Sequence, residues 1–152
     1  MVAVLMIEVP ELYPLVLLSV TGLPFITSFM MGGQVMSART RLNVPLPNLY
    51  ATPGVHDKAE EFNRVQRGHQ NMFETLSYVL MATVVGGIKY PRVAVGFMVA
   101  YCLGNVFYLR GYANMAHDVN MARYKNPIAA LKPVGLIGSV ITAVTACVVM
   151  MM

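Results

Sequence analysis

The residues best suited to chemistry in this chain of 152 residues lie in the run FNRVQRGHQNMFE, from Phe62 to Glu74. Arg67, Asn71 and Glu74 follow one another at the i, i+4 and i+7 spacing that places side chains on one face of an α-helix. Arg64, three residues before Arg67, falls on the same face. Ionisable residues inside or at the edge of a membrane helix are costly to place there, so they are functional candidates.

The chemistry of this face would be recognition of a small charged molecule. A guanidinium such as that of Arg67 suits a carboxylate, the amide of Asn71 both donates and accepts, and Glu74 can accept from an ammonium. Together they match a zwitterionic ligand with a free amino group and carboxylates. The alternative is that Arg67 and Glu74 neutralise partners on neighbouring helices. His69 points elsewhere on the helix, and its position alone indicates a hydrogen-bonded structural residue.

A second face lies in the predicted third helix, within the run AYCLGNVFYLRGY. Tyr101, Asn105, Tyr108 and Tyr112 are spaced at i, i+4, i+7 and i+11 and therefore share one side of a helix. Aromatic stripes at this spacing usually pack in a core or form an interfacial belt. If this stripe faces the Arg, Asn and Glu side chains of the second helix, the two faces would form a ligand cleft.

Three further basic residues are open to two interpretations. Arg39 and Arg41, at the end of the first apolar run, either anchor the helix at the membrane surface or belong to a site. Arg123, in the third connection, either faces lipid headgroups or reaches a site. No metal centre is predicted, because the three histidines share no ligand spacing, and neither a phosphate-binding loop nor a Ser/His/Asp arrangement is readable.

The composition indicates an integral membrane protein. The chain is 57% hydrophobic and only 12% charged, with a mean hydropathy of +0.59, whereas a soluble domain carries about 25% charged residues. The net charge of +4 does not indicate a nucleic-acid partner, because the basic residues lie where helices would leave the lipid bilayer rather than among aromatics on a solvent face.

Four apolar runs predict an all-α fold, an integral membrane four-helix bundle in one domain over residues 1–152. The predicted spans cover about 12–36, 58–88, 93–116 and 127–150. Each is long enough to supply the 20 or so residues that a membrane-crossing helix needs. Proline and glycine interrupt the first run, which membrane helices tolerate better than soluble ones.

The distribution of lysine and arginine predicts the orientation. Nine of the eleven would lie at the end of the bundle that holds the first and third connections, and the positive-inside rule places that end in the cytoplasm, with both termini on the opposite side. These nine are Arg39, Arg41, Lys58, Arg64, Arg67, Arg110, Arg123, Lys125 and Lys132. The start, MVAVLMIEVPE, has no basic region and no small-residue cleavage site before the first long apolar run, so we expect the first span to act as the insertion signal.

At this point the sequence resembles a known family. The pattern QR-HQN-E in the second helix, SAR at 37–39, YPR at 90–92 and Y-x-x-G-Y at 108–112 are similar to motifs of the MAPEG family, the membrane-associated proteins of eicosanoid and glutathione metabolism. The likeness covers most of the chain. Within the family it is closest to the microsomal glutathione S-transferases of the third type.

The resemblance implies a four-helix protomer that assembles as a homotrimer, with glutathione bound between neighbouring protomers near the cytosolic membrane face. It implies an endoplasmic reticulum membrane, with a mitochondrial membrane as the alternative. Carried over residue by residue, it implies that seven side chains bind glutathione or line its site. These are Arg39, Arg67, His69, Asn71, Glu74, Tyr108 and Tyr112.

The resemblance also implies how the thiol is activated. In the family an arginine after the third helix stabilises the glutathione thiolate, and a nearby cation can lower a thiol pKa of about 8.5 by one or more units. An ungapped match places Val119 at that position, whereas a gapped match makes Arg123 the candidate. Arg39 is the second candidate. Thr40 occupies the basic position that follows Arg39 in the family, with Arg41 one residue further on.

The predicted function is therefore a membrane-bound glutathione transferase or peroxidase. It would add the thiolate to lipophilic electrophiles or use it to reduce lipid hydroperoxides, and the apolar co-substrate would enter sideways from the lipid bilayer. The alternative is a MAPEG-like structural or regulatory subunit, bound to other membrane subunits in a larger complex and with weak or no catalysis. A small transporter or channel subunit has less support, because one carboxylate on the second helix is little to build an ion path from.

Overall fold

The computed structural model describes residues 8–152, and all the secondary structure in that range is helical. Five α-helices follow one another along the chain, with a 3-10 turn before the last. They are α1 (Tyr13–Arg41), α2 (Ala59–Gly87), α3 (Pro91–Tyr112), α4 (Val119–Ala122), the 3-10 turn Pro127–Ala130 and α5 (Leu131–Met151). The expectation about the start of the chain falls largely on residues 1–7, which lie outside the described residues.

Two helix ends differ from the predicted spans. Helix α1 continues five residues past position 36 and ends at Arg41. Its last turn carries Arg39 and Arg41, and basic side chains there favour a helix because they face the negative end of its dipole. Helix α3 ends at Tyr112 rather than near 116. The short α4 follows, capped at its start by the Asp118 carboxylate, which accepts from the Asn120 amide at 2.9 Å.

The four long helices run alternately up and down. At one end, the hydroxyl of Tyr13 at the start of α1 donates to the backbone oxygen of Val84 near the end of α2, at 3.3 Å. At the other end, Arg64 near the start of α2 donates to the backbone oxygens of Asn114 and His117 in the third connection. The first and third connections therefore lie at the same end of the bundle, as the distribution of lysine and arginine predicts.

Three of the helical segments are long and apolar enough to cross a membrane, namely α1, α3 and Pro127–Met151. Their outer surfaces are apolar, as at Phe25 and Phe29, which are 71% and 77% exposed. Helix α2 has 29 residues, a length of about 43 Å at 1.5 Å per residue, but its first half is polar. Its crossing of the membrane stays a prediction.

Helices α3 and α5 approach each other unusually closely at three glycines. A Cβ added to Gly104 on α3 would lie 2.0 Å from the backbone nitrogen of Lys132, and one on Gly135 of α5 would lie 2.4 Å from that of Tyr101. Gly138 is equally tight against the ring of Phe97. Small residues permit such close backbone packing in membrane bundles. The packing brings the first turn of α5 to the middle of α3.

The close approach predicts that Gly104→Ala destabilises the bundle and displaces the start of α5. The added methyl must push backbone apart, and overpacking costs typically about 1–3 kcal/mol. We expect a lower midpoint of thermal unfolding in detergent. The matched control is Gly96→Ala on the same helix, where a Cβ meets nothing within 4 Å. Equal unfolding midpoints for the two variants would contradict the packing described here.

Candidate functional site

A continuous network of four polar side chains joins α2 to α5. Arg67 donates through Nη1 to Glu74 Oε1, and the amide of Asn71 donates to Glu74 Oε2 at 3.0 Å. The Nζ of Lys132 donates to Asn71 Oδ1. Arg67 and Glu74 therefore bond to each other rather than to partners on neighbouring helices, and Asn71 connects their pair to a cation on α5.

Lys132 is the part of this network that sequence reasoning missed. Its residue is only 6% exposed, and its Nζ lies 4.1 Å from the centroid of the Tyr108 ring and 3.4 Å from the backbone oxygen of Asn71. In the sequence it is one of the nine positive charges assigned to the cytoplasmic end of the bundle, near the start of the fourth predicted span. A lysine one turn inside an apolar span, directly before Pro133, was the signal that could have marked it as functional.

The predicted aromatic stripe on α3 divides into a packing half and a site half. Tyr101 and Asn105 are completely buried. The Tyr101 hydroxyl donates to the Met72 backbone oxygen at 2.6 Å and lies 2.8 Å from the Thr75 hydroxyl. These bonds fix α3 against the turn of α2 that carries Asn71. The deep half of the stripe therefore positions the site without facing it.

The outer half of the stripe lies at the site together with the third connection. The ring centroid of Tyr108 is 5.6 Å from that of Tyr112 and 5.4 Å from that of Tyr124. The Arg123 guanidinium lies 5.7 Å from the Tyr124 ring centroid and close to the Tyr108 hydroxyl. Its Nε is buried and has no hydrogen-bond partner within residues 8–152. Arg123, the candidate that the gapped family match gives, therefore lies close to these tyrosines.

A cavity of about 790 Å³ opens beside Arg67. Tyr112 and Val119 line it from α3 and α4, and Tyr50 and Asn63 line it from the first connection and the start of α2. The Asn63 amide shapes that wall, because it pairs with both backbone groups of Ala51 at 2.7 and 2.9 Å. Small-molecule sites typically measure about 300–1,000 Å³, so a tripeptide has room next to the ion pair.

The charges around Lys132 are unbalanced, whereas the cavity wall carries Asp57 and Glu60 as well as Arg64 and Arg67. Arg67, Arg123 and Glu74 all lie near enough to the Lys132 ammonium to interact with it electrostatically. This group of four contains three cations and a single carboxylate. Positively charged clefts with low-dielectric walls attract anions, so the arrangement favours an anionic ligand over a neutral or cationic one.

Arg39 lies away from this group within the protomer. Its Nη1 donates to the backbone oxygens of Val44 at 3.0 Å and Asn48 at 2.7 Å, and its guanidinium stacks over the Phe62 ring at 4.8 Å. Its Nε has no partner among the described residues. Arg39 thus fixes the first connection, and its predicted binding or catalytic role stays a prediction.

His69 also faces away from the Arg67 side of α2. Its ring packs edge-on against Phe73, with centroids 5.1 Å apart. Its buried Nε2 lies on the side of Gly32 in α1 and makes no hydrogen bond to any described residue. Within one protomer, the structure therefore brings together six of the eight predicted site residues and leaves Arg39 and His69 on another side of α2. The six are Arg67, Asn71, Glu74, Tyr108, Tyr112 and Arg123.

Arg64 has a structural part in holding the third connection. It pairs with Glu60 at 2.8 Å and donates to the backbone oxygens of Asn114 at 3.2 Å and His117 at 2.9 Å. The connection that carries Val119 and Arg123 is thereby tied to α2. In the described part of the chain, no group of three or more His, Cys, Asp or Glu side chains could hold a metal ion.

This tie predicts that Arg64→Gln loosens the third connection while the bundle stays folded. Losing hydrogen bonds from a charged donor, worth about 1.5–3 kcal/mol, should speed amide hydrogen exchange at residues 114–119 at least about tenfold. Arg41→Gln is the matched control, since its pair with Glu61 at 2.9 Å holds no connection. Unchanged exchange at 114–119 in Arg64→Gln would show that other contacts hold the segment.

A comparison with protein families decides the membership of the chain. A sequence model of the MAPEG family matches residues 17–150, a range that includes most or all of each long helix and every predicted site residue. The chain belongs to the MAPEG family. The match confirms the family resemblance, the all-α membrane bundle and the integral membrane location. The closer likeness to the glutathione S-transferases of the third type stays a prediction.

Proposed function

We propose that this MAPEG protein is a membrane-bound glutathione transferase and peroxidase. The observation that carries the proposal is the network of Arg67, Asn71, Glu74 and Lys132. Its Arg67 also lines a cavity of about 790 Å³. Glutathione carries two carboxylates, one ammonium and a thiol. The site offers arginine and lysine for the carboxylates, Glu74 for the ammonium, and the hydroxyls of tyrosines for the peptide groups.

The existing ion pair does not prevent binding. Arg67 and Glu74 side chains are 43% and 46% exposed, and exposed ion pairs are worth only about 0–1 kcal/mol. A ligand that brings a carboxylate to Arg67 and an ammonium to Glu74 replaces one pair with two. The exchange keeps every charge compensated, so opening the pair costs little.

The chemical step proposed is nucleophilic attack by the glutathione thiolate. Arg123, near Tyr108, would stabilise the sulfur anion once the thiol has lost its proton to water. In conjugation, the sulfur forms a bond to an electrophilic carbon of a lipophilic molecule while a π bond at that carbon breaks, and the anion that results takes a proton from water. In peroxide reduction, the sulfur attacks the hydroperoxide, the O–O bond breaks and an alcohol leaves. A second glutathione then releases water and forms the disulfide.

A homotrimer would complete the site. The family resemblance implies that glutathione binds between protomers, and the separation of Arg39 and His69 from the Arg67 cluster supports this. Those two side chains reach a glutathione site only if a neighbouring copy presents them. The lipophilic co-substrate would enter between helices from the lipid bilayer. The outer surface of the bundle, which would face the lipid, is apolar. The endoplasmic reticulum is the proposed membrane, with the mitochondrion as the alternative.

One observation favours a second candidate function, a structural or regulatory subunit with weak or no catalysis. Val119 stands at the ungapped position of the family arginine and lines the cavity. If Arg123 does not take the role of that arginine, the protein would keep the ligand site but lack the cation that activates the thiol. Co-purification with other membrane proteins at fixed stoichiometry, with no thiol chemistry, would favour this function.

The binding half of the proposal predicts that Arg67→Ala and Glu74→Ala weaken glutathione binding. Each removes a charged hydrogen-bond partner, so the dissociation constant should rise about tenfold or more. Isothermal titration of the detergent-solubilised protein with glutathione measures it. Arg110→Ala is the control, because Arg110 packs on Phe107 outside the network. If the native protein binds glutathione and both variants bind it equally tightly, the assignment of this face to the ligand is wrong.

The catalytic half predicts that Arg123→Ala slows turnover much more than it weakens binding. Loss of the thiolate's cation should lower kcat about 10- to 100-fold, measured by conjugation of a lipophilic electrophile and by lipid hydroperoxide reduction, each dependent on glutathione. Arg39→Ala is measured in parallel because Arg39 is the second candidate, and Arg110→Ala again serves as control. Unchanged kcat in Arg123→Ala would exclude Arg123 from thiol activation.

A further inference from the structure

Lys132 is a buried cation without an ion-pair partner. Its residue is 6% exposed, and within residues 8–152 no carboxylate lies within 4 Å of its Nζ. Burying an unpaired charge is expensive, and an apolar side chain of similar volume would avoid that cost. Packing alone therefore gives no reason for a lysine at this position.

The hydrogen bonds of Lys132 leave part of its ammonium free. The group has three donors, and Asn71 accepts through Oδ1 and, at 3.4 Å, through its backbone oxygen. The face of the Tyr108 ring lies 4.1 Å away and stabilises the charge by a cation–π contact. No described residue accepts the third N–H, so one donor remains for a further anion.

The network places Glu74 between two cations. Arg67 contacts its carboxylate directly, and Lys132 reaches it through the Asn71 amide. The free head group of an amino acid has the complementary arrangement, since its ammonium and its carboxylate are attached to the same carbon. When that ammonium meets Glu74, the neighbouring carboxylate lies close to both cations.

We propose that Lys132, together with Arg67, binds the carboxylate of the ligand's free amino-acid head group. The proposal rests on the proposed function and deepens it, because it names what the site selects. A γ-linked first residue keeps both its ammonium and its carboxylate free, whereas an ordinary peptide bond consumes the carboxylate. Lys132 is thus a specificity residue for γ-glutamyl peptides.

The test compares two ligands by isothermal titration in detergent. One is glutathione, and the other is γ-aminobutyryl-cysteinyl-glycine, which lacks only the carboxylate of the first residue. The proteins are native, Lys132→Met, Lys132→Gln and the control Lys125→Met. Glutamine can still donate to Asn71 Oδ1 and so keeps the amide oriented without the charge. Lys125→Met removes a positive charge from the same end, at an exposed residue that contacts His117.

We expect native protein and Lys125→Met to bind glutathione much more tightly than the analogue. In both Lys132 variants that preference should fall about tenfold or more, as losing a charged hydrogen bond implies. If the Lys132 variants keep the full preference for glutathione over the analogue, the proposal is wrong. This holds even if the affinities for both ligands fall equally, because Lys132 would then act through packing. If Lys132→Met does not fold, Lys132→Gln decides. Native protein that binds neither ligand fails the proposed function itself, and this inference with it.

Discussion

The hydrogen bonds of one amide, that of Asn71, connect the polar parts of this bundle. Its nitrogen donates to Glu74 and its oxygen accepts from Lys132, so a carboxylate on α2 and an ammonium on α5 are joined without touching. An amide offers a donor and an acceptor in fixed positions. Because Lys132 can only donate, the amide cannot turn over without losing both bonds.

The packing of α3 makes this amide bridge possible. Gly104 lets the backbone of Lys132 approach. Gly68 on α2 likewise leaves room for α3, because a Cβ added there would lie only 3.2 Å from the Cα of Leu109. Tyr101 holds the two helices in register through Met72. In an apolar bundle these contacts rely on shape, since lipid provides no hydrophobic drive between helices. The bridge from Glu74 to Lys132 is therefore positioned by residues that carry no charge.

Periodicity predicted the faces of the helices but not how those faces pair. Arg67, Asn71 and Glu74 lie on one face because 3.6 residues per turn requires it, and the structure agrees. The role of Lys132 escaped prediction because it depends on a contact between residues 61 positions apart. The separation of His69 and Arg39 from that face likewise depends on which side of α2 meets α1. Arg123 reaches Tyr108 only through the path of a connection whose length the motifs do not define.

Charge balance links binding to chemistry at this site. Arg67, Arg123, Lys132 and Glu74 together carry two net positive charges. Glutathione with a neutral thiol carries one net negative charge, and with a thiolate it carries two. In a partly buried site, where an uncompensated charge is costly, these four residues and the ligand together become neutral only when the sulfur is ionised. The same excess of cations that would attract the proposed tripeptide would therefore also favour its reactive form, even with a valine at the ungapped arginine position.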